Sequence, residues 1–170
     1  MGAAAELADD VDVPPAGIYV VQRVWAHGSY GSGAGPADGV DVKFFNDTGG
    51  VPGAVACGYT SLAPVGRADV SDFVVDLPTA CRLTTGKWWV SVQARQPLNP
   101  KGQWFWAETS ATSGLAYQFQ DPSNVLGTGC TTWNSGAACF EPDPANTNTC
   151  FLLKGTVEEG PLFADGFEGP

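Results

Sequence analysis

A chain of 170 residues is long enough to fold as one domain around its own core, without a metal or partner to complete it. Its 22 glycines and 13 prolines are spread along the whole length, beside a single methionine, which favours many short strands and tight turns over helices. With 18 acidic and 8 basic side chains the net charge is −10, so the surface repels phosphate backbones and nucleic acid is excluded as a partner; no run approaches the roughly 18 apolar residues of a membrane-spanning helix.

In chain order, Met1-Gly2-Ala3-Ala4-Ala5-Glu6 has neither the basic start nor the apolar stretch of a signal peptide and reads as an initiator joined to a mature sequence. Residues 1–16 read as an acidic N-terminal arm, residues 17–157 as the folded domain and residues 158–170 as a C-terminal tail. Strands are predicted over Ile18 to His27, Val40 to Phe45, Ala54 to Thr60 and Asp72 to Leu77. They continue over Lys87 to Ala94, Gln103 to Glu108, Ala116 to Gln120 and Thr149 to Val157. Val40, Val42 and Phe44 alternate with Asp41 and Lys43, and Phe73, Val75 and Leu77 alternate with Asp72 and Asp76. That period of two marks half-buried strands. About eight strands with Gly/Pro turns and no periodic helix predict an all-β, antiparallel sandwich of jelly-roll type. The stretch from Asp121 to Asn148 has weak periodicity and reads as a long ordered loop.

Five cysteines and one histidine lack the spacing of a zinc site, so disulfides, and with them an oxidising, extracellular setting, are the natural reading. The preferred pairs are Cys57–Cys81 and Cys130–Cys139. Cys150 is then either a buried thiol on the last strand or a partner in an alternative pairing, since sequence does not fix connectivity.

Four of the six tryptophans fall between Trp88 and Trp106. If Trp104 and Trp106 alternate with Phe105, both indoles share one face of a sheet, and Trp89 must oppose Trp88. Exposed, such rings would stack on the apolar faces of sugars; buried, they would fill an inter-sheet core. The exposed reading selects Trp104, Trp106, Tyr117, Gln118 and Trp133 as the ligand-binding face.

Several segments carry a resemblance. The run from Val42 to Gly53 (VKFFNDTGGVPG), then Phe73 to Pro78, then Thr85 to Val92 (TGKWWVSV) resembles secreted bacterial β-sandwich modules of the choice-of-anchor and uncharacterised extracellular type, with Trp88 in place of their usual tyrosine. Gly102 to Trp106 and Gly127 to Trp133 are similar to a cysteine-containing subset of them. The resemblance spans about residues 17 to 157 and implies an exported sandwich module, with no particular activity. Leu162 to Glu168 (LFADGFE) is similar to the F-x-DGFE tail that closes many secreted bacterial proteins, which implies export and a natural C-terminus near Pro170.

Chemistry is less legible. His27 lies near Ser29 and Ser32, but no G-x-S-x-G elbow accompanies it. Glu108, with Asp121, Glu141 or Asp143, could form the carboxylate pair of a glycosidase, although a solvated strand end explains Glu108 as well. Asp38, Asp41, Asn46 and Asp47, with Asp69 and Asp72, offer hard oxygen ligands for a structural calcium and are equally ordinary turn formers. The expectation is a non-catalytic module that binds carbohydrate or another extracellular surface polymer. A structural or assembly subunit, an adhesin or filament protein that uses its termini, is the alternative, and a secreted hydrolase stands third.

Overall fold

The alternation of Phe73, Val75 and Leu77 becomes burial in the fold, whereas the strand carrying Val40, Val42 and Phe44 also buries Asp41 and Phe45 from its other face. The computed structural model describes residues 5–15, 17–33, 35–65, 71–111, 113–140 and 148–159. Among them the strands are β1 (Glu6–Val13), β2 (Gly17–Ala26), β3 (Gly28–Gly31), β4 (Gly39–Asp47), β5 (Pro52–Leu62), β6 (Phe73–Leu83) and β7 (Gly86–Arg95). After a helical turn at Leu98–Lys101 come β8 (Gln103–Trp106), β9 (Glu108–Thr109), β10 (Gln118–Gln120) and β11 (Asn134–Ser135). A second helical turn at Gly136–Cys139 precedes β12 (Asn148–Thr149) and β13 (Phe151–Glu159).

Every pairing is antiparallel. One sheet has six strands in the order β11-β10-β1-β7-β4-β5, and a second has three in the order β13-β2-β6; β12 with β9 and β3 with β8 form two-stranded ribbons. Val42, Phe44, Val90 and Trp88 from the large sheet and Val24, Val75 and Leu83 from the small one join a single buried cluster, which also takes in Trp104 and Trp106. The all-β, antiparallel class is therefore as the composition predicts. Cys57–Cys81 (Cα–Cα 6.0 Å) ties β5 to β6, and so one sheet to the other. Cys130–Cys139 (Cα–Cα 5.7 Å) closes the long loop. Cys150 is a free, half-buried thiol immediately before β13.

Three expectations change. The acidic arm is not an arm: Glu6 to Val13 form β1, held inside the large sheet between β10 and β7, with Leu7 opposite Phe119 and Asp10 opposite Trp89. Its charges are absorbed by partners. Glu6 accepts from Lys43 Nζ (2.8 Å) and Ser91 Oγ (2.9 Å), Asp9 accepts from the Thr149 amide (2.6 Å) and hydroxyl (2.9 Å), and Asp10 pairs with Lys87. Second, the strand expected to end at Leu77 runs through Pro78 to Leu83. β6 is an edge strand, where a missing N–H breaks no ladder.

Third, the eight expected strands become 13 among the described residues, because three are divided at a corner and β1 and β11 are added. There His27 N donates to Cys150 O (3.0 Å), Cys150 N to Ala107 O (2.9 Å) and Ala107 N to His27 O (2.9 Å). This closed ring of backbone bonds separates β2 from β3, β8 from β9 and β12 from β13. The described part of the long loop reaches the outer face of the large sheet at Trp133. Trp133 packs edge-on against Phe45 (centroids 5.6 Å apart) beside Trp89, which is fully buried on the side opposite Trp88.

Candidate functional cleft

Beside the first residues of β1 and the end of β7 the protein opens into a cleft of about 910 Å³. The size is that of a site for a small ligand or a few units of a polymer. Its floor and walls come from β1 (Leu7), β7 (Val92, Ala94), β8 (Trp104, Trp106), β10 (Phe119) and the neighbouring Tyr117. Two glycines let the aromatic rings settle there. A Cβ on Gly28 would stand 2.3 Å from the Trp104 ring, and one on Gly136 would stand 1.9 Å from the Tyr117 ring. At both positions any side chain would displace the ring.

The two indoles are fixed by their N–H groups as well as by packing. Trp104 Nε1 donates to Ser71 O (2.7 Å), and Trp106 Nε1 donates to Cys150 O (2.9 Å). Trp88 Nε1 reaches Thr84 O (2.7 Å) and Trp89 Nε1 reaches Asp47 Oδ1 (2.8 Å) in the same manner. Each buried indole donor is thereby satisfied, and each ring is held rigidly.

Around this floor runs an apolar rim. Leu98 (68% exposed), Phe105 (52%), Phe140 (41%) and Leu126 (40%) all border the cleft. Phe140 also meets Phe119 in a T-shaped contact, with centroids 4.7 Å apart. Amide side chains of Gln93, Gln96 and Gln103 lie among them. Charged groups on the lining are Glu6, Asp38, Asp41, Glu108 and Arg95. Asp41 pairs with Arg95 (3.0 Å), Asp38 with Lys101, and Glu6 with Lys43. Glu108 Oε1 accepts instead from the Tyr117 hydroxyl (2.7 Å). Burial first, and then the Glu108 carboxylate beside it, push the Tyr117 hydroxyl well above the ordinary tyrosine range, so it stays a donor at any physiological pH.

Of the residues predicted to face a ligand, the cleft brings together Trp104, Trp106 and Tyr117 and leaves two elsewhere. Gln118 is buried, its Nε2 bound to Ala116 O (3.0 Å), and Trp133 lies over Phe45 on the outer face of the large sheet. The open aromatic strip is corrected too. Trp104, Trp106 and Tyr117 are only 8%, 7% and 5% exposed, because the two indoles share the inward face of β8 and Tyr117, just before β10, packs over Gly136. Phe105, on the opposite face, is the ring that solvent sees.

The oxygen ligands proposed for calcium do not converge. Asp38 and Asp41 hold Lys101 and Arg95, Asn46 Nδ2 reaches Ala54 O (3.5 Å), and Asp47 takes the Trp89 indole and the Gly50 amide. No group of three metal-ligating side chains occurs among the described residues, and Asp69 lies outside them. His27 Nδ1 meets Asp72 Oδ1 (2.5 Å) and its ring stacks on Trp25. Asp121 is fully buried and caps its own loop by accepting the Leu126 amide (2.7 Å), while Glu141 and Asp143 fall outside the described residues.

Sequence reasoning missed the rim. Leu98, Leu126 and Phe140 sit in turns, where hydrophobic periodicity gives no signal. Their only mark was that a large apolar residue stood in each of three Pro- or Gly-containing segments without strand or helix periodicity. Comparison with family models, with curated proteins and with solved structures finds no match for this chain.

Proposed function

We propose that this chain is a secreted, non-catalytic binding module that seats a carbohydrate of an extracellular polymer in the cleft. One observation carries the reading: four large apolar side chains that the fold leaves exposed converge on the rim of a single cleft with a rigid aromatic floor. Exposed apolar surface gathered in one place marks an interaction site. The exposed Phe105 ring offers a face to the C–H side of a sugar, and the amides of Gln93 and Gln103 suit its hydroxyls. Two disulfides fit the oxidising compartment in which such polymers occur.

A glycan array probed with the wild-type chain and with Phe105→Ala tests this. A defined set of glycans should bind the wild type, and Phe105→Ala should weaken it about tenfold, or about 1.4 kcal/mol, with the melting temperature nearly unchanged. No glycan above background, or an unaltered profile in Phe105→Ala, would refute it.

Self-assembly is a second reading, favoured by β13. This strand forms one edge of the small sheet, and its Leu152 and Val157 are 55% and 64% exposed. An open, partly apolar edge suits strand addition. The N-terminal half of the original assembly idea lapses, because β1 is already paired on both sides within its own sheet. Sedimentation across a range of concentrations distinguishes an associating chain from a monomer.

A further inference from the structure

We propose that the sugar recognised in the cleft carries a free, protonated amine, and that Glu108 is the group that selects it. This rests on the carbohydrate reading and narrows it to deacetylated amino-sugar polymers. The argument comes from the charges along the lining. Four carboxylates and one guanidinium border the cleft, and three of the carboxylates already hold a cation: Glu6 has Lys43, Asp38 has Lys101 and Asp41 has Arg95.

Glu108 is different. It is exposed, and among the described residues its carboxylate meets no Lys, Arg or His; its side-chain partner is the neutral Tyr117 hydroxyl on Oε1. That single bond fixes the carboxylate's direction and leaves Oε2 available. The site therefore joins the exposed Phe105 ring, which offers a face to the apolar side of a pyranose, to an anion without a cationic partner at its border. A neutral sugar would leave that anion partly desolvated and unpaired, whereas an ammonium on the ring would satisfy it. The net charge of −10 acts in the same direction at longer range, drawing a polycation toward the protein.

The test is titration calorimetry in mildly acidic buffer with two oligomers of one backbone: β-1,4-linked glucosamine, whose amines are protonated, and its fully N-acetylated counterpart. Wild type and Glu108→Gln are compared. Gln keeps an oxygen to accept the Tyr117 hydroxyl, and thermal melts check that the variant is folded. The wild type should prefer the deacetylated oligomer by about tenfold, and Glu108→Gln should lose that preference while retaining whatever affinity the acetylated oligomer shows. Raising the salt to roughly 0.5 M should erode the preference, because the carboxylate is exposed. Equal binding of the two oligomers, or a preference that survives Glu108→Gln, would overturn the amine assignment and leave the carbohydrate reading standing. Binding of neither oligomer, with no glycan bound on the array, would overturn both. Tighter binding of an oligolysine of matched charge would show that the site reads charge without sugar, and would likewise overturn the proposal.

Discussion

At the scale of single residues, the polarity of β8 separates two neighbours with opposite roles. Trp104 is packed against Phe73 at 4.6 Å between ring centroids and is almost wholly buried, whereas Phe105 is half exposed. Trp104→Ala should cost about 3–5 kcal/mol of stability in denaturant unfolding. Phe105→Ala should leave stability within about 0.5 kcal/mol of the wild type. Asp9 makes a different kind of prediction. Burial raises its pKa from 3.8 to about 6 against the opposing pull of the Thr149 bonds. The folded state thus favours the protonated acid, and the associated stability is fully present below 3.8 and lost as pH rises through about 6. The stability of the wild type relative to Asp9→Asn should fall across that window by up to about 3 kcal/mol. A difference that stays constant with pH would contradict it.

At the scale of elements, the disulfide between β5 and β6 joins the two sheets at one side of the sandwich. In the loop-entropy description, Cys57→Ser with Cys81→Ser should lower stability by about 3.5 kcal/mol, against about 2.7 kcal/mol for the shorter Cys130–Cys139 loop. Chemical denaturation of the two double variants checks the order. The element most legible in the sequence was β6, where Phe73, Val75 and Leu77 are buried and Val74 and Asp76 are not; β4 and β7 are covered on both faces, so Asp41, Phe45, Trp89 and Ser91 are buried as well. β1 was illegible for a physical reason. Glu6, Asp9 and Asp10 look solvated in sequence, and only the fold supplies Lys43, Thr149 and Lys87 to receive them. Periodicity also told correctly that Trp104 and Trp106 share a face and that Phe105 opposes them. A period of two does not say which face meets solvent, and that choice depends on strands distant in sequence. Apart from Phe105 on β8, the rim is built from turns and had no pattern to read.

At the scale of the whole molecule, the sandwich buries aromatic residues on both faces of its large sheet, Trp88 within and Trp89 beneath Trp133 outside. What remains apolar and reachable is concentrated at the cleft and along β13. The cleft differs from the edge in having a rigid floor, a polar border and, among the described residues, one lining carboxylate without a cationic partner. The six indole N–H groups give the most direct test, because each reports on a different place. In a 15N-labelled sample titrated with a glycan that binds, the Trp104 and Trp106 indole resonances, which lie on the cleft, should shift with saturating dependence. Those of Trp88 and Trp89, in the sheets away from the cleft lining, should stay in place. Shifts centred on Trp25 or Trp133, with the Trp104 and Trp106 signals unmoved, would place the ligand elsewhere and contradict the cleft as the binding site.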